Sequence, residues 1–499
     1  MDNAPQFLDI PLLPLSGIEP RIIVGPPVLA FSTPQHDALI ALKNEIDSVA
    51  PINTWDDAKK ITNPYEYVFL SLQKRMHRSI AATQPLSRSY FKMIELWDLL
   101  NLPTGRPLRT AHTAEGPGGF IEATMTRAPG TRAVAMTLRA TERAIPGWRK
   151  SQTFLAAHPT VAITYGADGT GNLYELANQV AYRAAATAYL GAPRSVDLYT
   201  ADGGFDFSTD YNGQENTVQR LLAAEALAGL NVLRPGGTMV IKVFDTKQVA
   251  TLELLWTLGF CFERAAFIKP HSSRPANSER YWVGINLIEA PPDWVTHLLT
   301  ELTDTNAPHG WTSLYTARPW TAGWLAGVQC FQEKIEAQQF ANIQMTLNII
   351  RTPSRPAISS LLLLNVCQSR AWCRAHRIPE NPSLHDLTDE QVMLLNLEEA
   401  LAPFQAGVAR TSLPTLFRPP PTPHAQTARP TPLPPAAPAW RSALPPSIRD
   451  PGASRTGAGT PLPSARALPV SHGAPRPVPE PPAPRRSSGG SQWSDGSSE

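Results

Sequence analysis

LRTAHTAEGPGGF, residues 108–120, reads as a strand that runs into a glycine turn and then into a helix. Further strand candidates follow it: RAVAMTL (132–138), VDLYTADGG (196–204), GTMVIKVF (237–244), AAFIKP (265–270) and ERYWVGINL (279–287). Several of these are nearly continuous in apolar residues, as strands buried on both faces are. QRLLAAEALAGLNVLRPGG (219–237) has the pattern of an amphipathic helix closed by Pro-Gly-Gly. Buried strands separated by helices predict an α/β fold with a parallel, doubly wound sheet, whose ligands lie beyond the carboxyl ends of the strands.

This pattern occupies only the middle of a 499-residue chain. Residues 1–54 form an N-terminal extension, and 291–410 read as mainly helical. TAGWLAGVQCFQEKIEAQQFANIQMTLNII (321–350) has apolar positions at helical spacing, residues 351–356 mark a break, and Thr388 stands three residues ahead of Gln391 as a capping box. Beyond residue 411 the chain holds 22 of its 51 prolines and few apolar side chains. Burial there cannot offset chain entropy, which predicts a disordered Pro/Arg/Ser-rich tail over 411–499.

Nine arginines and four acids give that tail a charge of +5, against −3 for the preceding residues. Overall charge therefore makes no case for nucleic acid, and any such case must come from local clusters. The four cysteines, at 261, 330, 367 and 373, have no metal-ligand spacing and suit a reducing compartment. No signal peptide is visible, and the run LLLLNVC (361–367) is too short to span a bilayer. The expectation is a soluble intracellular protein of cytoplasm or nucleus, without a membrane partner.

Three places carry candidate chemistry. Glu115, Gly116, Pro117, Gly118, Gly119 and Phe120 form the turn after the first strand, where glycines admit a ligand close to the backbone and a helix N-terminus offers free N–H groups. Such a turn could serve a dinucleotide, S-adenosylmethionine or only the chain reversal. No GxGxxG is present, and Pro117 removes an N–H that a diphosphate cradle would use. Asp168 and Asn172, in the turn DGTGN, have side chains able to bond an adenine edge, although a plain glycine turn explains that piece as well.

Asp202 closes a buried strand, and Lys242 is the one ammonium inside GTMVIKVFD. Burial and a neighbouring cation would lower the Lys242 pKa. Lys92 lies early in the amphipathic helix SRSYFKMIELWDLL (87–100), and Glu279 stands among Lys269, Arg274 and Arg280 at the mouth of the last strand. Taken singly, Lys92 reads as a solvated helix charge and Glu279 as half of a surface pair. Together, Lys92, Asp202, Lys242 and Glu279 are two bases and two acids on four separate elements.

This set resembles the FtsJ-like ribose 2′-O-methyltransferases, and within them the mRNA cap-1 branch. TNPYEYVF (62–69), SRSYFKM, EGPGGF, DGTGN, ADGG with GQEN, GGTMVIKVFD and KPHSSRPANSERY occur in the family's order over about 55–290. The resemblance implies a Rossmann-like S-adenosylmethionine-dependent domain over 55–290. It implies a Lys92-Asp202-Lys242-Glu279 tetrad, and a cofactor site on residues 115–120, Asp168, Asn172 and Asp202. Asn172 falls where cap-1 enzymes usually have aspartate, and the insert DFSTDY (206–211) is longer than usual.

It further implies capped mRNA as substrate, S-adenosylmethionine as cofactor, no required metal, and capping or transcription proteins as partners. Lys59, Lys60, Tyr65, Arg88, Asn216, Arg274 and Glu279 are the candidate RNA contacts. Tyr65 could stack on a base or pack in the core. Ser272 and Asn277 join Arg274 as walls of an RNA groove. Lys242, made less basic by burial and by Lys92, would accept or steer the hydroxyl proton. Two other functions fit the same motifs: 2′-O-methylation of ribosomal or transfer RNA, and non-catalytic RNA binding on a methyltransferase scaffold. The Ala, Pro and Arg bias of the tail points to a GC-rich genome, and a large DNA virus is a source compatible with the resemblance; the virion or a viral factory would then be its place.

Overall fold

The computed structural model describes residues 4–8, 19–46, 48, 52–70, 78–142, 145–205, 212–307 and 310–411. The expected tail, from residue 412 on, and the DFSTDY insert lie outside the described residues. Among the described residues the strands are β1 (Gln6–Leu8), β2 (Pro20–Val24), β3 (Arg109–Thr113), β4 (Arg132–Met136), β5 (Val161–Thr164), β6 (Val196–Ala201), β7 (Leu233–Phe244), β8 (Phe262–Ile268), β9 (Glu279–Leu287) and β10 (Trp311–Tyr315). The helices used below are α1 (His36–Ile46), α2 (Ile52–Ile61), α3 (Ser89–Leu99), α4 (Gly119–Arg127), α5 (Gln152–Ala157), α6 (Leu176–Leu190), α7 (Gln214–Val232), α8 (Val249–Gly259), α9 (Asp293–Asp304), α10 (Ala322–Arg351), α11 (Arg355–Ala375) and α12 (Asp389–Thr411).

Eight strands make one sheet in the order β1-β8-β9-β7-β6-β3-β4-β5. From β7 to β5 neighbouring strands are parallel, each pair consecutive in sequence being joined by a helix of α4 to α7. The remaining edge corrects the all-parallel expectation: β7–β9, β9–β8 and β8–β1 are antiparallel. The reason is the ten-residue connection between β8 and β9, which contains no helix and so joins antiparallel neighbours. A second correction concerns the helix read over 219–237. It ends at Val232, and the Pro-Gly-Gly lies inside β7, where Gly236 takes φ +74°.

The chain runs outward through β3, β4 and β5 and then returns to place β6 beside β3. That reversal of direction opens a crevice at the carboxyl ends of β3 and β6. Alternation along the strands divides two cores. Met239, Ile241 and Val243 of β7 face the core shared with α7 and α8. Val240 faces the other, with Tyr281 and Val283 of β9 and Phe91, Met93 and Ile94 of α3. Lys242 follows the Val240 parity, so it emerges on the face covered by α3.

The helical part is locally well signalled. Thr321 caps α10 by accepting from Trp324 N at 3.2 Å. The Thr388–Gln391 capping box forms in both directions, at 2.8 and 3.3 Å, and the break after residue 351 separates α10 from α11. Residues 291–410 also contribute β10, which pairs antiparallel with β2 of the N-terminal segment.

Candidate active site

The crevice is a cleft of about 830 Å³, with Gly116, Asn172, Asp202, Lys242 and Glu279 among the residues that line it. Lys242 and Tyr281 are register partners on β7 and β9, and Phe244 pairs with Glu279 one step along the same face. Lys242 Nζ donates to the Asp202 carbonyl at 2.8 Å and lies 3.2 Å from Asp202 Oδ1. Tyr281 Oη donates to the same Oδ1 at 2.9 Å. From across the face, α3 brings Lys92 Nζ to the Glu279 carboxylate at 2.7 and 2.8 Å, and Ser273 Oγ donates to Glu279 Oε1 at 2.7 Å. The structure thus gathers Lys92, Asp202, Lys242 and Glu279 at one mouth, each side chain 15% exposed or less. At that burial the pairs are only weakly screened by solvent.

The electrostatics correct one expectation. Burial alone would lower the Lys242 pKa, but Asp202 and Glu279 outweigh it, and the ammonium is held above its ordinary value. Burial also opposes ionisation of Glu279; Lys92, Lys242 and Lys269 reverse that and take its carboxyl down to about 2. Burial, together with the charges of Asp202 and Glu279, raises the Tyr281 phenol well above its usual range, so it stays a donor to Asp202.

The glycine turn meets the cleft only in part. Gly116 lines it, and a Cβ there would lie 2.7 Å from the Gly147 carbonyl oxygen. Gly118 takes φ +104°, open to glycine without strain, and a Cβ on Gly119 would strike Ser87, Ser89 and the start of α3. Pro117 accepts from Ser151 Oγ, and the Phe120 ring packs 5.6 Å from Tyr281. Glu115 is buried below the turn against Thr200 and His112, and burial raises its pKa. In the second turn, Asn172 lines the cleft and accepts from Tyr174 N. Asp168 instead bonds Thr170 N and Oγ1 at 2.8 Å and is not part of the lining.

The lining suits S-adenosylmethionine better than a dinucleotide. Its backbone turns come close at Gly116 and Gly171, its walls at Leu138, Ile145 and Leu173 are apolar, and Asn172 and Asp202 offer acceptors. Among the described residues that line the cleft, the Gly116–Asn172 side carries no basic side chain. Among the described residues no group of three or more His, Cys, Asp or Glu could hold a metal ion. Among them, too, no helix is long and apolar enough to cross a membrane.

The candidate RNA contacts are dispersed. Lys59 lines the cleft beside Asp56, its ion-pair partner at 2.5 Å, while Lys60 pairs with Asp57 at 2.9 Å outside it. Arg88 and Arg274 converge on the buried Glu66, Arg274 by two bonds of 3.0 and 3.2 Å. Tyr65 stacks on His271, centroids 5.0 Å apart, in a second cavity of about 240 Å³ that shares no lining residue with the cleft. Asn216 directs Oδ1 at Gly310, buried and without a hydrogen-bond partner among the described residues. Ser272 bonds Glu95, and Asn277 lines the cleft. Tyr281 escaped the sequence reading, although its place two residues after Glu279 puts both on one strand face. Ser273 left no such signal.

The model of the FtsJ-like methyltransferase family matches residues 85–287. The cap-specific mRNA (nucleoside-2′-O-)-methyltransferase 1 of Drosophila melanogaster is 36% identical over 170 residues, 34% of this chain and 21% of its own length. The proteins of that name from Trypanosoma brucei brucei and Xenopus laevis are 38% and 35% identical, over 27% and 37% of this chain and 35% and 22% of their own. The chain therefore spans about a fifth to a third of the length of these relatives. A ribosomal RNA methyltransferase structure from Plasmodium falciparum aligns over 41% of this chain and 98% of its own, at 16% identity and a TM-score of 0.30. Residues 85–287, which bring Lys92, Asp202, Lys242 and Glu279 to one cleft, are thus the part of the chain that is similar to the FtsJ-like methyltransferases.

Proposed function

We propose that this protein transfers a methyl group from S-adenosylmethionine to a ribose 2′-hydroxyl of RNA, at the first transcribed nucleotide of capped mRNA. The observation that carries the reading is the meeting of the Lys242–Asp202 and Lys92–Glu279 pairs at the cleft mouth, inside the matched domain. The cap-specific names of the relatives supply the substrate. Gly116, Asn172 and Asp202 would hold the cofactor. Bound there, it would supply a methyl group on a sulfonium, whose positive charge disfavours the ammonium form of a neighbouring lysine.

Lys242 is the residue set to meet the hydroxyl. As an ammonium fixed by Asp202 it orients the oxygen and stabilises negative charge developing there; as an amine it takes the proton. Tyr281 keeps the Asp202 carboxylate oriented, and Glu279 holds Lys92 at the opposite side. Fixed geometry of this kind is worth up to roughly 7–11 kcal/mol for well-oriented reactants.

The test incubates the protein with labelled S-adenosylmethionine and two RNAs, capped and uncapped, followed by nuclease digestion. Label at the first transcribed nucleotide of the capped RNA alone is the expected result. Label on both RNAs would make the enzyme a broader 2′-O-methyltransferase. Binding without transfer would leave an RNA-binding protein on the same scaffold.

A further inference from the structure

Glu279 enters the cluster from the end of the ten-residue connection 269–278, and β9 alone does not dictate where its carboxylate goes. Lys269, the first residue after β8, is buried beneath that connection, 8% exposed. Its Nζ donates to the carbonyls of Asn277 and Glu279, both at 2.8 Å, and of Arg274 at 3.3 Å, and to Asn277 Oδ1 at 2.5 Å. It also donates to Ser273 Oγ at 3.4 Å. An ammonium donating into that hydroxyl leaves the hydroxyl hydrogen for an acceptor. The nearer one is Glu279 Oε1, at 2.7 Å against 3.3 Å for Asn277 Oδ1. Lys269, whose pKa burial lowers to about 7, therefore reaches the Glu279 backbone directly and the Glu279 carboxylate by way of Ser273, the longest of its five contacts.

We infer that Lys269 is a positioning residue for methyl transfer, fixing the backbone of Glu279 and, through Ser273, the carboxylate that holds Lys92 at the cleft. The inference rests on the reading of Glu279 as a member of the catalytic cluster. Lys269 does not line the cleft that holds Asp202, Lys242 and Glu279; with Ser273 it borders the second cavity, beside Tyr65. The arrangement also explains the choice of side chain. The connection turns three carbonyls, an amide oxygen and the Ser273 hydroxyl inward, and one lysine at the end of a flexible stem shares its three N–H donors among these five acceptors.

The full-length chain is compared with Lys269→Met, Ser273→Ala, Glu279→Gln and the two double variants containing Glu279→Gln, in single-turnover methyl transfer to capped RNA. Lys269→Met should lower the rate at least tenfold and Ser273→Ala severalfold, with the concentrations of RNA and cofactor giving half-maximal rate unchanged within twofold. Neither should cost anything further once Glu279 is glutamine. Equal losses with and without Glu279 would overturn the inference while leaving the catalytic reading standing; full activity of Glu279→Gln would overturn that reading itself. A second measurement does not depend on activity. Hydrogen exchange at the Glu279 and Arg280 amides should quicken at least tenfold in Lys269→Met, and unchanged protection would refute the fixing of Glu279. Should Lys269→Met not fold, the Ser273→Ala cycle decides: a loss that persists without Glu279 counts against the inference.

Discussion

Two groups of cations in this molecule have opposite relations to their partners. At the cleft, Lys242 and Lys92 meet acids carried by other elements, Asp202 after β6 and Glu279 at the start of β9. On the flank formed by α2 and the segment after it, Lys59 and Lys60 pair with acids three residues earlier in their own helix. Arg88 and Arg274 there are absorbed by one buried carboxylate, Glu66. An ion pair between distant elements can be aimed into a cleft by the fold, whereas a pair within one turn forms wherever the helix does. The origin of the partner separates the cleft lysines from Lys59 and Lys60, whereas Arg88 and Arg274 also have a distant partner and differ in that Glu66 lies off the cleft lining.

The sharpest way to break this contrast is to remove the lysine that the fold aims most deliberately. Lys242→Ala should abolish methyl transfer, a loss of about 10²–10⁴ for a group that handles the proton, while circular dichroism and Tm show an intact fold. Substantial residual turnover would put Lys242 with the flank lysines. The rate for the unchanged protein should also rise with pH through the neutral range, since the raised Lys242 pKa leaves only a small amine fraction there, and that fraction grows with pH.

Glu66 tests the flank from the other side. Burial opposes its charge, yet Arg88 and Arg274 hold its carboxyl below the usual value. Glu66→Ala leaves two arginines facing each other without their acid and should cost about 3–5 kcal/mol of stability, read from urea unfolding. A change under 1 kcal/mol would mean that both arginines have other partners and are open to RNA.

Glu279 gives a comparable effect in acid. With its carboxyl at about 2 in the folded protein and near 4.5 unfolded, its contribution is fully present above pH 4.5 and is lost as pH falls towards 2. The shift corresponds to a few kcal/mol, on the order of 1.4 kcal/mol per pH unit. Glu279→Gln should flatten the unfolding midpoint against pH in that window. A slope unchanged from that of the unaltered protein would assign the acid sensitivity to Asp245, also held at about 2.

What the sequence could convey follows from the range of the interactions involved. Apolar runs announced β3, β4, β6, β7, β8 and β9, and a lone ammonium in one of them singled out Lys242. The four-residue β5, fully buried only at Val161, carried too little pattern to be noticed. Parallel and antiparallel strands share one period, so the direction of β8 and β9 was not encoded in it. The capping box at Thr388 is local and was legible. The Arg274–Glu66 pair, 208 residues apart, was not. Arg274 therefore read as a free RNA contact, and Asp168 read as a cofactor ligand although its turn uses the side chain.

The smallest expected effect makes the finest cut, because it lies within the flank itself. Lys59 and Lys60 are neighbours with the same kind of partner and side-chain exposures of 24% and 29%. Pairs so exposed are worth about 0–1 kcal/mol, so either lysine can exchange its aspartate for a phosphate at little cost. Position alone distinguishes them, since Lys59 lines the cleft and Lys60 does not. Neither Lys59→Ala nor Lys60→Ala should change stability by more than about 0.5 kcal/mol. Lys59→Ala should weaken RNA binding severalfold and reduce the slope of log affinity against log salt by about 1, as loss of one phosphate contact does. Lys60→Ala should leave both values where they were. Equal losses for the two would extend the RNA path along the outer face of α2, and loss at Lys60 alone would move that path away from the cleft.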